Sequence, residues 1–165
     1  MVGLVGKHRL EFVEEYADIL FRIHGIHQRW TFAFDRAKAR YGCCHHSDNV
    51  ITLSRYLVLD KETPMRVIKN VLLHEIAHAL VGYNEGHNDV WRECAIRIGC
   101  DGERTCSHAV DMPGQKLVRC TCGANKLYRF RISKKIRTSV CKFCRSPLYI
   151  VNPQNDTNNV ATKNP

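Results

Sequence analysis

The chain has 165 residues, 44% hydrophobic and 25% charged, with a formal net charge of +9. That length suits one domain with a small appendage, and that composition excludes a disordered chain. No apolar run reaches the roughly 18–20 residues that a membrane span needs, and residues 1–7 lack a charged leader followed by a long apolar stretch. The expectation is therefore a cytoplasmic or nucleoid-associated protein (nuclear in a eukaryotic host) that is not secreted, has no membrane partner and is a monomer.

Residues 8–24 read as an amphipathic helix, because Leu10, Val13, Tyr16, Ala17, Leu20 and Phe21 recur at three- and four-residue steps. Gly25 is its expected stop. Three short strands follow, over residues 30–35, 40–44 and 49–54, the last rich in β-branched residues. Turn-like segments separate them, which predicts an antiparallel meander. Pro64 starts a long helix over residues 65–81, closed by Gly82 and Gly86, and a shorter helix covers residues 89–98. Residues 99–114 read as a linker, and residues 152–165, rich in Asn, Pro and Thr, as a disordered tail.

The long helix carries His74-Glu75-Ile76-Ala77-His78. Four-residue spacing puts both imidazoles on one helix face, one turn apart, where they can grip one ion. Glu75 is then free to act on a water at an open coordination position as general base and acid. Such a pattern also arises by chance, but unpaired His and Glu would be costly in so apolar a helix. The third ligand has three candidates. His87 lies in a loop with glycine on its N-terminal side; Glu93 and Glu103 would make a two-His-one-Glu site, but both also suit an ordinary surface role. The spacing favours His87. Val81 and Asn84 stand where a metzincin needs Gly and His, which excludes that class.

With no export signal expected, nine cysteines point to metal binding, not to disulfides. Cys120-Thr121-Cys122 and Cys141-Lys142-Phe143-Cys144 are 18 residues apart, a spacing that lets four thiolates close around one structural zinc. A module of this size folds on its metal because its core is too small. Residues 112–151 contain no Asp or Glu and ten Lys or Arg, the electrostatic footprint of a nucleic-acid surface. Lys126, Arg129, Arg131, Lys134, Lys135 and Arg137 are its candidate contacts, with Tyr128 and Phe130 interleaved as the module's own core. Cys43, Cys44, His45 and His46 read as a buried strand with a polar turn, and Cys94 as core. Cys100, Cys106 and His108 match no sharp ligand spacing, and His8, His24 and His27 read as surface residues.

The run from Leu72 through His74, Glu75 and His78 to Leu80, then Gly86-His87 and Trp91, resembles the SprT-like family. So do the tracts at Trp30, Gly42-Cys43 and Val50 to Ser54, and the order of a protease core before a zinc ribbon. That family includes bacterial SprT proteins and Spartan-type proteases that digest DNA–protein crosslinks. The resemblance spans about residues 8–150. It implies His74, His78 and His87 as ligands of a catalytic zinc, Glu75 as general base and acid, and Trp91 packed behind the third ligand. Many relatives have glycine where this chain has Asn88, a residue that tolerates the left-handed region.

The expected architecture is α+β: a zincin-like core over residues 1–111 with an N-terminal helix, a small antiparallel sheet and the active-site helix, then a basic β zinc ribbon over residues 112–151. The expected activity is zinc-dependent hydrolysis of peptide bonds, on DNA-associated proteins as in crosslink repair, with one catalytic and one structural zinc, and with DNA and protein substrates as partners. The alternatives are a non-catalytic DNA-binding or regulatory protein that retains the metal core, and an aminopeptidase of small peptides indifferent to DNA.

Overall fold

The computed structural model describes residues 2–108, 110, 114–124 and 126–151, without the side chains of residues 2–5. The chain divides between Val110 and Asp111 into two units, and the expected tail lies outside the described residues.

The first unit opens with α1 (Val2–Ile23), which starts earlier than its apolar periodicity announces. It buries Val13, Ala17, Leu20 and Phe21. Its end is a paired cap: the Gly25 N–H donates to the Arg22 carbonyl (3.2 Å) and the Ile26 N–H to the Phe21 carbonyl (2.9 Å). Ile26 is buried beyond it.

Three strands follow: β1 (Thr31–Asp35), β2 (Gly42–His45) and β3 (Val50–Ser54). Their order is β1-β3-β2, with β1 parallel and β2 antiparallel to β3. The antiparallel meander expected from the sequence is thus replaced by a mixed sheet. The reason is the burial of β3 on both faces, through Ile51 and Leu53 on one and Thr52 and Ser54 on the other. Such a strand belongs in the centre. A four-residue turn with Asn49 at φ 53° makes β2 and β3 a hairpin, so β1 takes the remaining edge of β3. Polar side chains hold the crossover between β1 and β2. The Thr52 hydroxyl donates to Asp35 (2.8 Å), Asp35 accepts from the Ala37 N–H (2.8 Å), Arg40 pairs with Asp35 (2.6 Å), and the Ser54 hydroxyl donates to the Ala37 carbonyl (2.6 Å).

A five-residue helix, α2 (Arg55–Leu59), follows directly and buries Leu57 and Val58. Pro64 caps α3 (Met65–Val81), its carbonyl accepting from Val67 and Ile68. The buried stripe of α3, Ile68, Val71, Leu72, Leu73, Ile76 and Ala77, packs beneath the sheet and against α4 (Asp89–Arg97). From α4, Trp91, Cys94 and Ala95 complete the core. The described part of residues 99–110, expected as a linker, is bonded to this core. Asn70 and Asp101 exchange two hydrogen bonds (2.8 and 2.9 Å). The Tyr41 hydroxyl donates to the His108 carbonyl (2.8 Å) and accepts from Val110 (3.2 Å).

The second unit is a three-stranded antiparallel sheet built from β4 (Lys116–Arg119), β5 (Lys126–Arg129) and β6 (Tyr149–Val151), in the order β5-β4-β6. A single helical turn, α5 (Lys134–Arg137), sits between β5 and β6 in sequence and is capped by Ser133. Among the described residues of this unit, Leu117, Val118, Cys120 and Cys141 are buried. The aromatic core expected from Tyr128 and Phe130 forms only in part: Tyr128 is 36% exposed and Phe130 is half-buried. Leu117 and Val118 on the central strand fill the small interior together with two cysteines, and the Tyr128 ring of the edge strand stays partly outside.

Candidate functional site

His74 and His78 project from one face of α3, and His87 reaches them from the loop beyond Gly82 and a 3-10 turn (Tyr83–Glu85). Gly86 stands immediately before His87 at φ 54° and ψ −126°, a backbone conformation that only glycine adopts without strain. Asn88, the departure noted above, is extended at φ −77° and not left-handed. It serves as the N-cap of α4: its Oδ1 accepts from the Trp91 N–H (3.1 Å) and its Nδ2 donates to Glu85 (2.7 Å).

The Nε2 atom of His87 lies 2.9 Å from that of His74 and 3.1 Å from that of His78. One ring N–H or lone pair points along one direction, so it aligns with one neighbour and not with both. An ion receiving all three lone pairs satisfies the cluster, and these histidines form a group able to hold a metal. Glu93 and Glu103 do not join that group among the described residues. Instead the Glu103 backbone carbonyl accepts a hydrogen bond from His74, the kind of bond that orients a ligating imidazole. The buried Trp91 ring packs against all three rings, at 4.6, 5.3 and 4.7 Å from His74, His78 and His87. Burial holds the His74 and His78 imidazoles down to about 4, and His87 below its ordinary value. All three are therefore neutral donors at pH 7.

Glu75 is only 7% exposed. Burial pushes its carboxyl up to about 7, opposed by the Arg40 guanidinium and by the Cys44 N–H, which donates to the carboxylate. Strand β2 passes so close that a Cβ on Gly42 would sit 2.5 Å from the Glu75 Oε1. The carboxyl is thus clamped between α3 and the edge of the sheet.

In the second unit, Cys120 and Cys122 approach to 3.1 Å between sulfurs, and Cys122 and Cys141 to 3.7 Å. With Cys144 they form a second group able to hold a metal, all ligand atoms within 4.8 Å of one another. None is in a disulfide. The short Cys-x-Cys pair converges as well as the longer one. The Phe143 N–H donates to the Cys141 sulfur (3.4 Å). The Ser146 hydroxyl and N–H stabilise the Cys144 thiolate and draw its pKa down to about 5.

A family model, the SprT-like family, matches residues 10–111. The chain belongs to the SprT-like family. The match takes in His74, Glu75, His78, His87 and Trp91, while the four cysteines lie beyond it. No curated protein and no solved structure matches the chain.

Of the basic residues expected to contact nucleic acid, Lys126 and Arg129 lie on β5, Arg131 follows it, and Lys134, Lys135 and Arg137 lie on α5; all are exposed. They do not run along one strand with rings opposite cations, because Lys126 and Tyr128 share a face, with the ammonium 6.0 Å from the ring centre. The strand period of two puts alternate residues together. Cys43, Cys44, His45 and His46 are half-buried and do not form a metal-holding group among the described residues; nor do Cys100, Cys106 and His108. His24 is half-buried, not a surface residue. The sequence did not point to Gly42, Arg40, the Cys44 amide or the Glu103 carbonyl as parts of the site. Gly42 alone carried a signal, as a glycine inside a strand, which often marks a close approach.

Proposed function

We propose that this SprT-like chain is a zinc metallopeptidase with a zincin-like core that hydrolyses peptide bonds in proteins held on DNA. The convergence of three imidazole nitrogens beside a buried carboxylate carries this reading. Zinc held tetrahedrally by nitrogens at about 2.0–2.1 Å sets them about 3.3 Å apart, close to the 2.9 and 3.1 Å between these Nε2 atoms. Sulfurs at about 2.3 Å from zinc lie about 3.8 Å apart, against 3.7 Å between Cys122 and Cys141 and 3.1 Å between Cys120 and Cys122. Three neutral imidazoles would hold a zinc ion, which would supply Lewis acidity and lower the pKa of water to about 7.

The chain's own residues do the rest. Glu75 takes the proton of the attacking water and delivers it to the leaving amine as the C–N bond breaks. A carboxyl with a pKa of about 7 both accepts and donates near neutral pH. The Cys44 amide and the close passage of Gly42 fix its orientation, and Trp91 fixes the three imidazoles. Four cysteines close every position around their ion, so that site serves folding. The second unit, free of acidic residues over 112–151, supplies phosphate contacts that hold the enzyme where its substrates are.

The test is digestion of a DNA-binding protein with and without DNA. The reading predicts cleavage that chelation abolishes and that DNA stimulates, the stimulation fading steeply with salt. Absence of cleavage under every DNA condition would favour the non-catalytic binder, and cleavage of small peptides indifferent to DNA would favour the aminopeptidase.

A further inference from the structure

Helix α1 has two apolar faces. The inner one, with Val13, Ala17 and Leu20, is buried in the core. The outer one is a stripe of Phe12 (54% exposed), Tyr16 (half-buried), Ile19 (51%) and Ile23 (67%). At about 100° per residue these four fall within about 60° of one another. Phe12 and Tyr16 stack with planes 5° apart, which joins the first half of the stripe into one ridge.

We infer that this ridge is a homodimer interface in which α1 packs antiparallel against α1 of a second copy. The spacing of the stripe, four then three then four residues, is that of a coiled-coil seam and reads the same in both directions. A two-fold interface requires such self-complementarity. Reversal about the point between Tyr16 and Ile19 sets Phe12 against Ile23 of the second copy and Tyr16 against its Ile19. The charges fit this arrangement. On one flank, at seven-residue spacing, stand His8, Glu15 and Arg22; on the other stand Val13 and Leu20, buried in the chain's own core. A parallel pair would set Glu15 against the uncharged flank of the second copy, where it meets no cation. The antiparallel pair brings like flanks together, so Glu15 of each copy meets Arg22 of the other. Arg22 is exposed and holds only a local pair with Asp18 (2.9 Å), so it can turn to a second carboxylate. The proposal departs from the monomer expected from sequence and is independent of the catalytic reading.

Sedimentation velocity on the full zinc-loaded chain, from roughly 1 to 200 µM, is the test, since a ridge this small predicts micromolar self-association. The wild type should pass from monomer to dimer, and Ile19→Glu should stay monomeric across the range with unchanged helical circular dichroism. Glu15→Arg should weaken the dimer roughly tenfold, by facing two cations across the seam twice, and Glu15→Arg with Arg22→Glu should restore it. A wild type that stays monomeric, a dimer indifferent to Ile19→Glu, or a double variant no tighter than Glu15→Arg would overturn the proposal.

Discussion

Glu75 is held from above by a strand that leaves no room for a side chain, and this makes Gly42 a sharp probe of the catalytic reading. Gly42→Ala brings a methyl group to 2.5 Å from Oε1, so the carboxylate must move. A displacement of this size near the reacting atoms predicts a loss of roughly 100-fold in kcat, with the metal content of both sites unchanged by elemental analysis. Retention of wild-type turnover would show that Glu75 does not act from this position. The contrast with the three histidines explains what could be read from sequence. His74 and His78 were legible because helical periodicity alone makes them neighbours, and His87 because Gly86 marks the turn that returns it. The Cys44 amide and the Glu103 carbonyl were not legible, since backbone groups exist at every position and only the tertiary fold selects which ones face the site.

At the scale of elements, the strands were found in place but paired differently from the meander expected. Alternation locates a strand, while its neighbours depend on which strand is buried on both faces. Here that is β3, and the bonds of Asp35, Ala37 and Arg40 that hold the crossover involve ordinary polar residues with no distinctive spacing. Helix α4 offers a prediction of its own. Asn88 caps it and sits between His87 and Trp91 in the chain's path across the cluster. Asn88→Ala should destabilise the protein by about 1 kcal/mol in thermal melts. It should also weaken metal at the histidine cluster by roughly tenfold, as loss of an orienting contact does, leaving the cysteine cluster as an internal control.

At the scale of the whole molecule, protons and metal compete for the same groups. In the metal-free fold His74 and His78 titrate near 4, against about 6.5 in the unfolded chain. Between those values the unfolded state binds more protons, so these histidines contribute stability that is lost as pH falls from about 6.5 toward 4. Glu75, raised to about 7, acts in the opposite sense over an overlapping window, but it is one group against two. The melting temperature of chelated protein should therefore fall between pH 7 and pH 4.5. Zinc-loaded protein should show a steeper fall, because binding needs the imidazoles unprotonated. A melting temperature that rises on acidification would mean that Glu75 dominates.

The molecule as a whole is read as two zinc sites with different duties. His87→Ala should lose one ion and Cys141→Ser the other, while Glu75→Gln should lose neither. The most direct test of the account is the rate of protein cleavage by Glu75→Gln, with zinc counted on the same sample. Two zinc ions per chain are expected, with a rate reduced by about 100-fold to 10,000-fold. Cleavage at the wild-type rate by a fully loaded Glu75→Gln protein would contradict it.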